Sequence, residues 1–223
     1  VRALADQGQI LEEIGQVGGL GRGEQVFGVR FIGAMGYVVT FRQIDPLYVV
    51  DLTDPRRPRV RGELKIPGVS SYLHPIGDGL LLGVGAEATE EGQRTGLGAS
   101  VFDVSDPAAP KRIQHFTLGS AYSPSEFDHH AFLWWAPTGL AVIPVNHFPP
   151  EGGPGFLGAI GLRAGKSTLA EVGRMQHPRD DADPGSGAIQ RSIVIGDRLY
   201  TVSQRGIMQS DLNTLAQEAW VAF

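Results

Sequence analysis

The stretch Asp45 to Leu64, DPLYVVDLTDPRRPRVRGEL, returns in altered form at Ala99 to Phe116 as ASVFDVSDPAAPKRIQHF. In each copy a β-branched and aromatic run leads into a Ser/Thr-Asp-Pro turn and a second proline three residues later. A second run of alternating apolar residues follows. Pro55 and Pro107 fix φ near −65° at a turn position, and Asp54 and Asp106 stand where an aspartate can accept from its own backbone. The repeated unit therefore reads as strand, turn, strand. Asp51 and Asp103 lie 52 residues apart, a period in the range of propeller blades and too long for leucine-rich or ankyrin units. Two unrelated hairpins are the alternative, and the shared D-[LV]-[TS]-D-P-x-x-P pattern argues against them.

Composition points the same way. With 31 Gly and 15 Pro among 223 residues a helical bundle is excluded, and 42 % hydrophobic content excludes disorder. The fold class expected is all-β. A net charge of −5, with no run of Lys or Arg longer than two, leaves no nucleic-acid footprint. The absence of cysteine removes disulfides and thiolate chemistry. The longest clean apolar run, around Leu80 to Leu82, is far short of the roughly 18 residues that suggest a membrane span. The chain does not begin with methionine, and the expectation is that it starts inside a longer precursor.

Four units follow one grammar: strand, Gly-containing turn, strand, then a second strand pair. Their first hairpins are VFGVRFIGAMGYVVTF, SYLHPIGDGLLLGVG, HAFLWWAPTGLAVIPV and RSIVIGDRLYTVS. Approximate unit bounds are 26–67, 70–118, 128–176 and 188–223. In the third unit the outer pair is expected at Phe156 to Leu162 and Thr168 to Met175. In the fourth, Asp211-Leu212 takes the place of Asp51-Leu52. Four such units of four strands make a β-propeller with about four four-stranded antiparallel blades. Residues 9–17 have helical spacing at Ile10, Leu11, Ile14 and Val17, but the Gly-rich run after them favours a strand. That strand would be the outermost of a preceding blade, which makes the chain the C-terminal part of a larger propeller. The alternative is a closed four-bladed ring. In the first case the remaining blades or another subunit complete the ring.

The runs VRFIGAMGYVVTFRQIDPLYVVDLTDPRRPRVRGELKIPG and SSYLHPIGDGLLLGVGAEATEEG, with DHHAFLWW and RLYTVSQRGIMQSDLNTLAQEAWVAF, resemble the secreted bacterial and archaeal β-propeller-domain family. That family is described as distantly related to WD40 repeats. The Asp-Pro units also resemble the LVIVD-type repeat of microbial cell surfaces. The resemblance implies an extracellular or envelope-associated location. It carries over no catalytic residues.

The candidate site residues are those that first strands would bring to a central channel: Arg30, His74, His130 and Arg191. A channel lined by them would suit an anion or a metal. Asp128, His129 and His130 form the densest cluster, and an imidazole beside a carboxylate is good ligand chemistry. Structural hydrogen bonding is the plainer reading, because no H-E-x-x-H or similar spacing is present. Asp181 and Asp183 ahead of Gly185 suggest a weak calcium loop, but Ser192 stands where its bidentate acid belongs. GLRAGKS, at 161–167, is one residue short of a phosphate-binding loop and leads into a strand-like run. Asn146 to Gly155, with His147 and Phe148 among prolines, is a candidate binding loop. Trp134, Trp135, Trp220, Phe132 and Phe223 are expected to pack between blades.

Two functions are consistent with these features. The first is a non-enzymatic envelope scaffold without a cofactor, presenting loops to a protein or cell-envelope polymer. The alternative is a metal-dependent hydrolase at the channel mouth, with a divalent metal held by His74, Asp128, His129 or His130.

Overall fold

The computed structural model describes residues 1–41, 45–147, 155–180 and 182–223. The fold is all-β, with three four-stranded antiparallel sheets, one five-stranded sheet and an N-terminal hairpin. The hairpin is β1 (Arg2–Asp6) with β2 (Leu11–Gln16). The first sheet holds β3 (Gln25–Ile32), β4 (Met35–Phe41), β5 (Asp45–Asp51) and β6 (Arg59–Ile66). The second holds β7 (Val69–Gly77), β8 (Leu80–Ala88), β9 (Arg94–Asp103) and β10 (Lys111–Thr117). The third holds β11 (Ala121–Tyr122), β12 (Leu133–Trp135), β13 (Leu140–His147), β14 (Phe156–Gly165) and β15 (Thr168–Met175). The fourth holds β16 (Arg191–Ile195), β17 (Arg198–Ser203), β18 (Gly206–Asp211) and β19 (Gln217–Ala222). Each four-stranded sheet pairs its strands in chain order. Among the described residues no helix is long and apolar enough to cross a membrane.

Two-residue periodicity explains how the sheets stack, because alternate side chains of a central strand reach opposite faces. Leu80, Leu82 and Val84 of β8 pack with Ala141, Ile143 and Val145 of the third sheet, while Leu81, between Leu80 and Leu82, packs with Tyr37, Val39 and Val49 of the first. Leu140 and Val142 turn the other way, onto Leu199, Leu212 and Leu215. Central strands are apolar on both faces since both are covered. Phe102, Leu81, Leu82, Ile143 and Ile160 are among the largest fully buried side chains.

The Asp-Pro turns form as their sequence demands. Asp54 Oδ1 accepts from Arg56 N–H at 3.0 Å and Asp106 Oδ1 from Ala108 N–H at 2.9 Å. One step earlier, Asp51 Oδ1 accepts from Thr53 N–H at 2.9 Å and Asp103 Oδ1 from Ser105 N–H at 3.0 Å. Hydrogen bonds from the Thr53 side chain and then its backbone N–H, with a smaller contribution from Arg59, hold the Asp51 carboxyl down to about 2. Asp211 makes the same bond to Asn213 N–H at 3.0 Å without a proline, so the aspartate closes the turn and the proline only stiffens it.

The structure departs from the sequence reading in three places. The third unit does not begin with a continuous strand: residues 129–131 form a 3₁₀ turn, and the strand role is split between β11 and β12 at opposite ends of β13. Asp128 causes the break by accepting His130 N–H at 3.0 Å, which diverts the backbone from the ladder. His130 is therefore on a turn, and not in a first strand as expected. Second, the strand within 9–17 is paired with β1, which the sequence reading did not include. Third, Phe223 is 77 % exposed, whereas Phe132 is buried and Trp134 and Trp135 pack into different intersheet clusters.

Candidate functional site

The first strands of neighbouring sheets meet side by side, and their contacts form a line across the molecule. Arg30 on β3 donates from Nε to Leu73 O on β7 at 2.8 Å, with its guanidinium carbon 5.4 Å from the Tyr72 ring centre. Tyr72 Oη and His74 Nδ1 are 3.0 Å apart, and both rings lie 5.0 Å from Phe132. Trp134 closes the far side at 6.4 Å from His74. Burial, and then the positive charge of Arg30, push the His74 pKa down to about 4. His74 is accordingly neutral at pH 7, a hydrogen-bonding aromatic in an apolar setting.

Farther along the line, Arg191 on β16 pairs with Asp128 at 2.7 Å. Asp128 also takes His130 N–H and stands 3.3 Å from His130 Nδ1. His129 and His130 stack with ring centres 3.9 Å apart, both exposed. One ligand atom from each of Asp128, His129 and His130 lies within 4.8 Å of the others. That spread is compatible with a divalent cation, but the Arg191 guanidinium already neutralises the carboxylate. The backbone bond from His130 and the charge of Arg191 hold the Asp128 carboxyl below its ordinary range.

Before this turn lies a loop that residue types alone did not mark as a site. Ser123 caps the 3₁₀ turn at Pro124–Glu126 in a full capping box: its Oγ accepts from Ser125 N–H at 3.1 Å, and Glu126 accepts from Ser123 N–H at 3.0 Å. Ser123 Oγ also donates to Pro144 O at 2.6 Å, tying the loop to β13. Arg94 grips Glu126 through two bonds, 3.2 and 3.0 Å long. On this frame Phe127 stands 85 % exposed. The S-x-x-E spacing of Ser123 and Glu126 was a readable signal.

The other candidates lie apart. His147 ends β13, opposite Ala121 and Phe156, and Phe148 lies outside the described residues. Asp181 also lies outside them. Asp183 precedes the 3₁₀ turn at residues 184–187 and makes no side-chain cap. Asp180 is engaged by Arg205. Residues 161–167 belong to β14 and the tight turn into β15, with no helix to cradle phosphate. His177, which the sequence reading left unassigned, is 2 % exposed between Ser203 Oγ at 2.7 Å and Thr201 Oγ1 at 2.8 Å.

A family model described as beta propeller domain matches residues 1–215. An uncharacterized protein of Archaeoglobus fulgidus is 36 % identical over 204 residues, which cover 92 % of this chain and 29 % of the relative. An uncharacterized protein of Methanocaldococcus jannaschii is 45 % identical over 138 residues, covering 61 % of this chain and 21 % of the relative. The chain thus spans less than a third of the length of these curated relatives. Among solved structures, the AfRom2 CNH domain matches at 9 % identity with a TM-score of 0.44, over 97 % of this chain and 59 % of that one. The computationally designed Ika8 protein matches at 8 % identity with a TM-score of 0.46, over 86 % and 47 %.

Proposed function

The chain belongs to the beta propeller domain family, and from that premise we propose that it is a non-enzymatic display scaffold, one part of a larger exported propeller. It binds a protein or a cell-envelope polymer through the loop at residues 123–132. The observation that carries this reading is the exposure of Phe127 on a loop already fixed by the capping box, the bond to Pro144 O and the Arg94 grip on Glu126. An aromatic held rigidly in solvent gives up little conformational entropy when a partner covers it. The exposed imidazoles of His129 and His130 and the half-exposed Arg191 guanidinium add hydrogen-bonding groups. A partner with an apolar face rimmed by hydrogen-bonding groups suits that chemistry. Kinship with WD40 propellers and LVIVD-type surface repeats belongs to the same reading, supported by the Asp-Pro turns of two successive sheets.

The competing reading is a metal-dependent hydrolase, favoured by the closeness of the Asp128, His129 and His130 ligand atoms. The ion pair with Arg191 weighs against it. Two measurements decide. In co-sedimentation with purified bacterial and archaeal envelope fractions, Phe127→Ala should lower binding at least tenfold while leaving the circular dichroism unchanged. Elemental analysis showing a stoichiometric divalent metal, lost together with a hydrolytic activity in His130→Ala, would replace the scaffold with the enzyme.

A further inference from the structure

One irregularity recurs in the outermost strand pair of all five sheets. The register skips a single residue of the last strand: Ile14 in β2, Arg61 in β6, Ile113 in β10, Val172 in β15 and Glu218 in β19. The N-terminal hairpin shares this bulge, so it corresponds to the outer half of a blade and not to a free-standing ribbon. Two further features agree. A Cβ on Gly15, the residue after the bulge, would stand 2.4 Å from Pro55 O in the Asp-Pro turn of the first sheet. One on Gly62, at the same position in β6, would stand 2.4 Å from Pro107 O in the turn of the second. Asp6 Oδ1 accepts from Gly8 N–H at 2.7 Å at the end of β1, as Asp51 and Asp103 do at the ends of β5 and β9.

By this correspondence β1 is a third strand and β2 a fourth. In each four-stranded sheet the third strand is paired on its inner side, β5 with β4, β9 with β8 and β18 with β17. Among the described residues β1 pairs only with β2. Where its inner neighbours belong there is a groove of about 440 Å³, lined by Val1, Leu20, Val26, Val29, Phe31 and Val38. Val26 is 62 %, Val29 48 % and Phe31 54 % exposed. The equivalent face on the other side of the first sheet, with Tyr37 and Val39, is buried by Leu73 of β7 and Leu81 of β8, an inner strand pair.

We infer that this groove and the free edge of β1 seat an antiparallel β-hairpin, the two inner strands of the blade that β1 and β2 close, supplied by the polypeptide immediately ahead of Val1 in the longer protein. Every four-stranded sheet runs from inner to outer strand in chain order, which places the missing pair directly before β1. The fourth sheet already holds its own four strands. The curated relatives extend well beyond the span that this chain covers. The inference rests on the reading of the chain as part of a larger propeller.

The sequence contains no cysteine, so a single introduced thiol reports accessibility without background. Val29→Cys and Phe31→Cys are compared in the 223-residue chain and in the natural polypeptide extended N-terminally by about 20 residues, the length of two strands and a turn. Extension should slow labelling by a maleimide reagent at least tenfold at both positions, while Ile195→Cys on the fourth sheet keeps its rate. Amide exchange across Arg2–Asp6 should slow in parallel in the unsubstituted proteins. Equal labelling rates with and without the extension would overturn the inference. So would protection of the unextended chain that rises with concentration as a dimer sediments, since a second copy would then fill the groove. Envelope binding through Phe127 that survives either refutation leaves the display reading standing, so the two can fail separately.

Discussion

Acid should weaken this fold as the pH falls below 6.5, and His177 is the reason. Ser203 Oγ accepts from Arg205 N–H at 3.2 Å, so its own proton is free to point at His177 Nδ1. That leaves Nε2–H to donate to Thr201 Oγ1. The neutral ring is fully satisfied, 2 % exposed, with Trp220 packed edge-on at 4.8 Å. Protonating Nδ1 sets two donors against each other and places a charge in an apolar setting, and burial lowers the pKa from 6.5 to about 4. A depressed folded-state pKa contributes stability that is fully present above the unfolded value and is lost as pH falls toward the folded one. The window is therefore pH 6.5 to 4. At about 1.4 kcal/mol per pH unit, the whole contribution is of order 3 kcal/mol, and roughly 2 kcal/mol of it is gone at pH 5. His74 adds a loss of the same sign over the same window. Asp51, with its carboxyl near 2, acts only below the ordinary carboxylate range. Urea unfolding at pH 7.5 and pH 5 isolates the term when wild type is compared with His177→Gln. The variant is less stable at pH 7.5, yet its loss on acidification should be smaller by roughly 2 kcal/mol. A difference within about 0.5 kcal/mol would show that the folded protein accommodates the imidazolium, and would refute the assignment.

Gly85→Ala should destabilise by about 3 kcal/mol or more, because the added Cβ would sit 1.8 Å from Val69 O on the neighbouring strand. Gly165→Ala, whose Cβ would meet nothing nearer than Thr168 Cγ2 at 3.7 Å, should be close to neutral in the same thermal melts. Ser123→Ala removes the cap and the bond to Pro144 O. It should cost about 1–2 kcal/mol, felt first as faster amide exchange at Ser125 to Phe127, with exchange in β8 and β9 unchanged.

How much of this could be read in the sequence follows from where each interaction lies along the chain. The Asp-Pro turns were legible because Asp54 bonds a backbone group two residues away. The two-faced strands were legible because alternation is local. The turn at Asp128 was not, since DHHAFLWW alternates well enough to pass for a strand, and only the Asx bond to His130 N–H breaks it. Strand β1 lacked the β-branched run that marks the others, and a five-residue stretch of Ala, Leu and charges carries little signal. His177 gave no local sign of burial, because its hydroxyl partners come from β17, 24 and 26 residues away.

The candidate site was the least legible part for the same reason carried further. The contacts that tie the line of first strands together join two sheets: Arg30 reaches Leu73, His74 reaches Phe132, and Arg191 reaches Asp128. Partners in such an arrangement stand some forty to sixty residues apart, a separation fixed by blade length, so no motif spacing can announce them. A stacked-sheet fold thus separates two kinds of information. Its outer edges repeat one bulge from sheet to sheet, and the glycines after it at Gly15 and Gly62 admit the next sheet's Asp-Pro turn. Its inner edges are free to differ from blade to blade. The capped loop bearing Phe127 lies where the third sheet abandons the repeat, splitting its first strand around two 3₁₀ turns. The proposed recognition role falls on this departure, where the capping box, the bond to Pro144 O and the Arg94–Glu126 pair hold a loop that the other sheets lack.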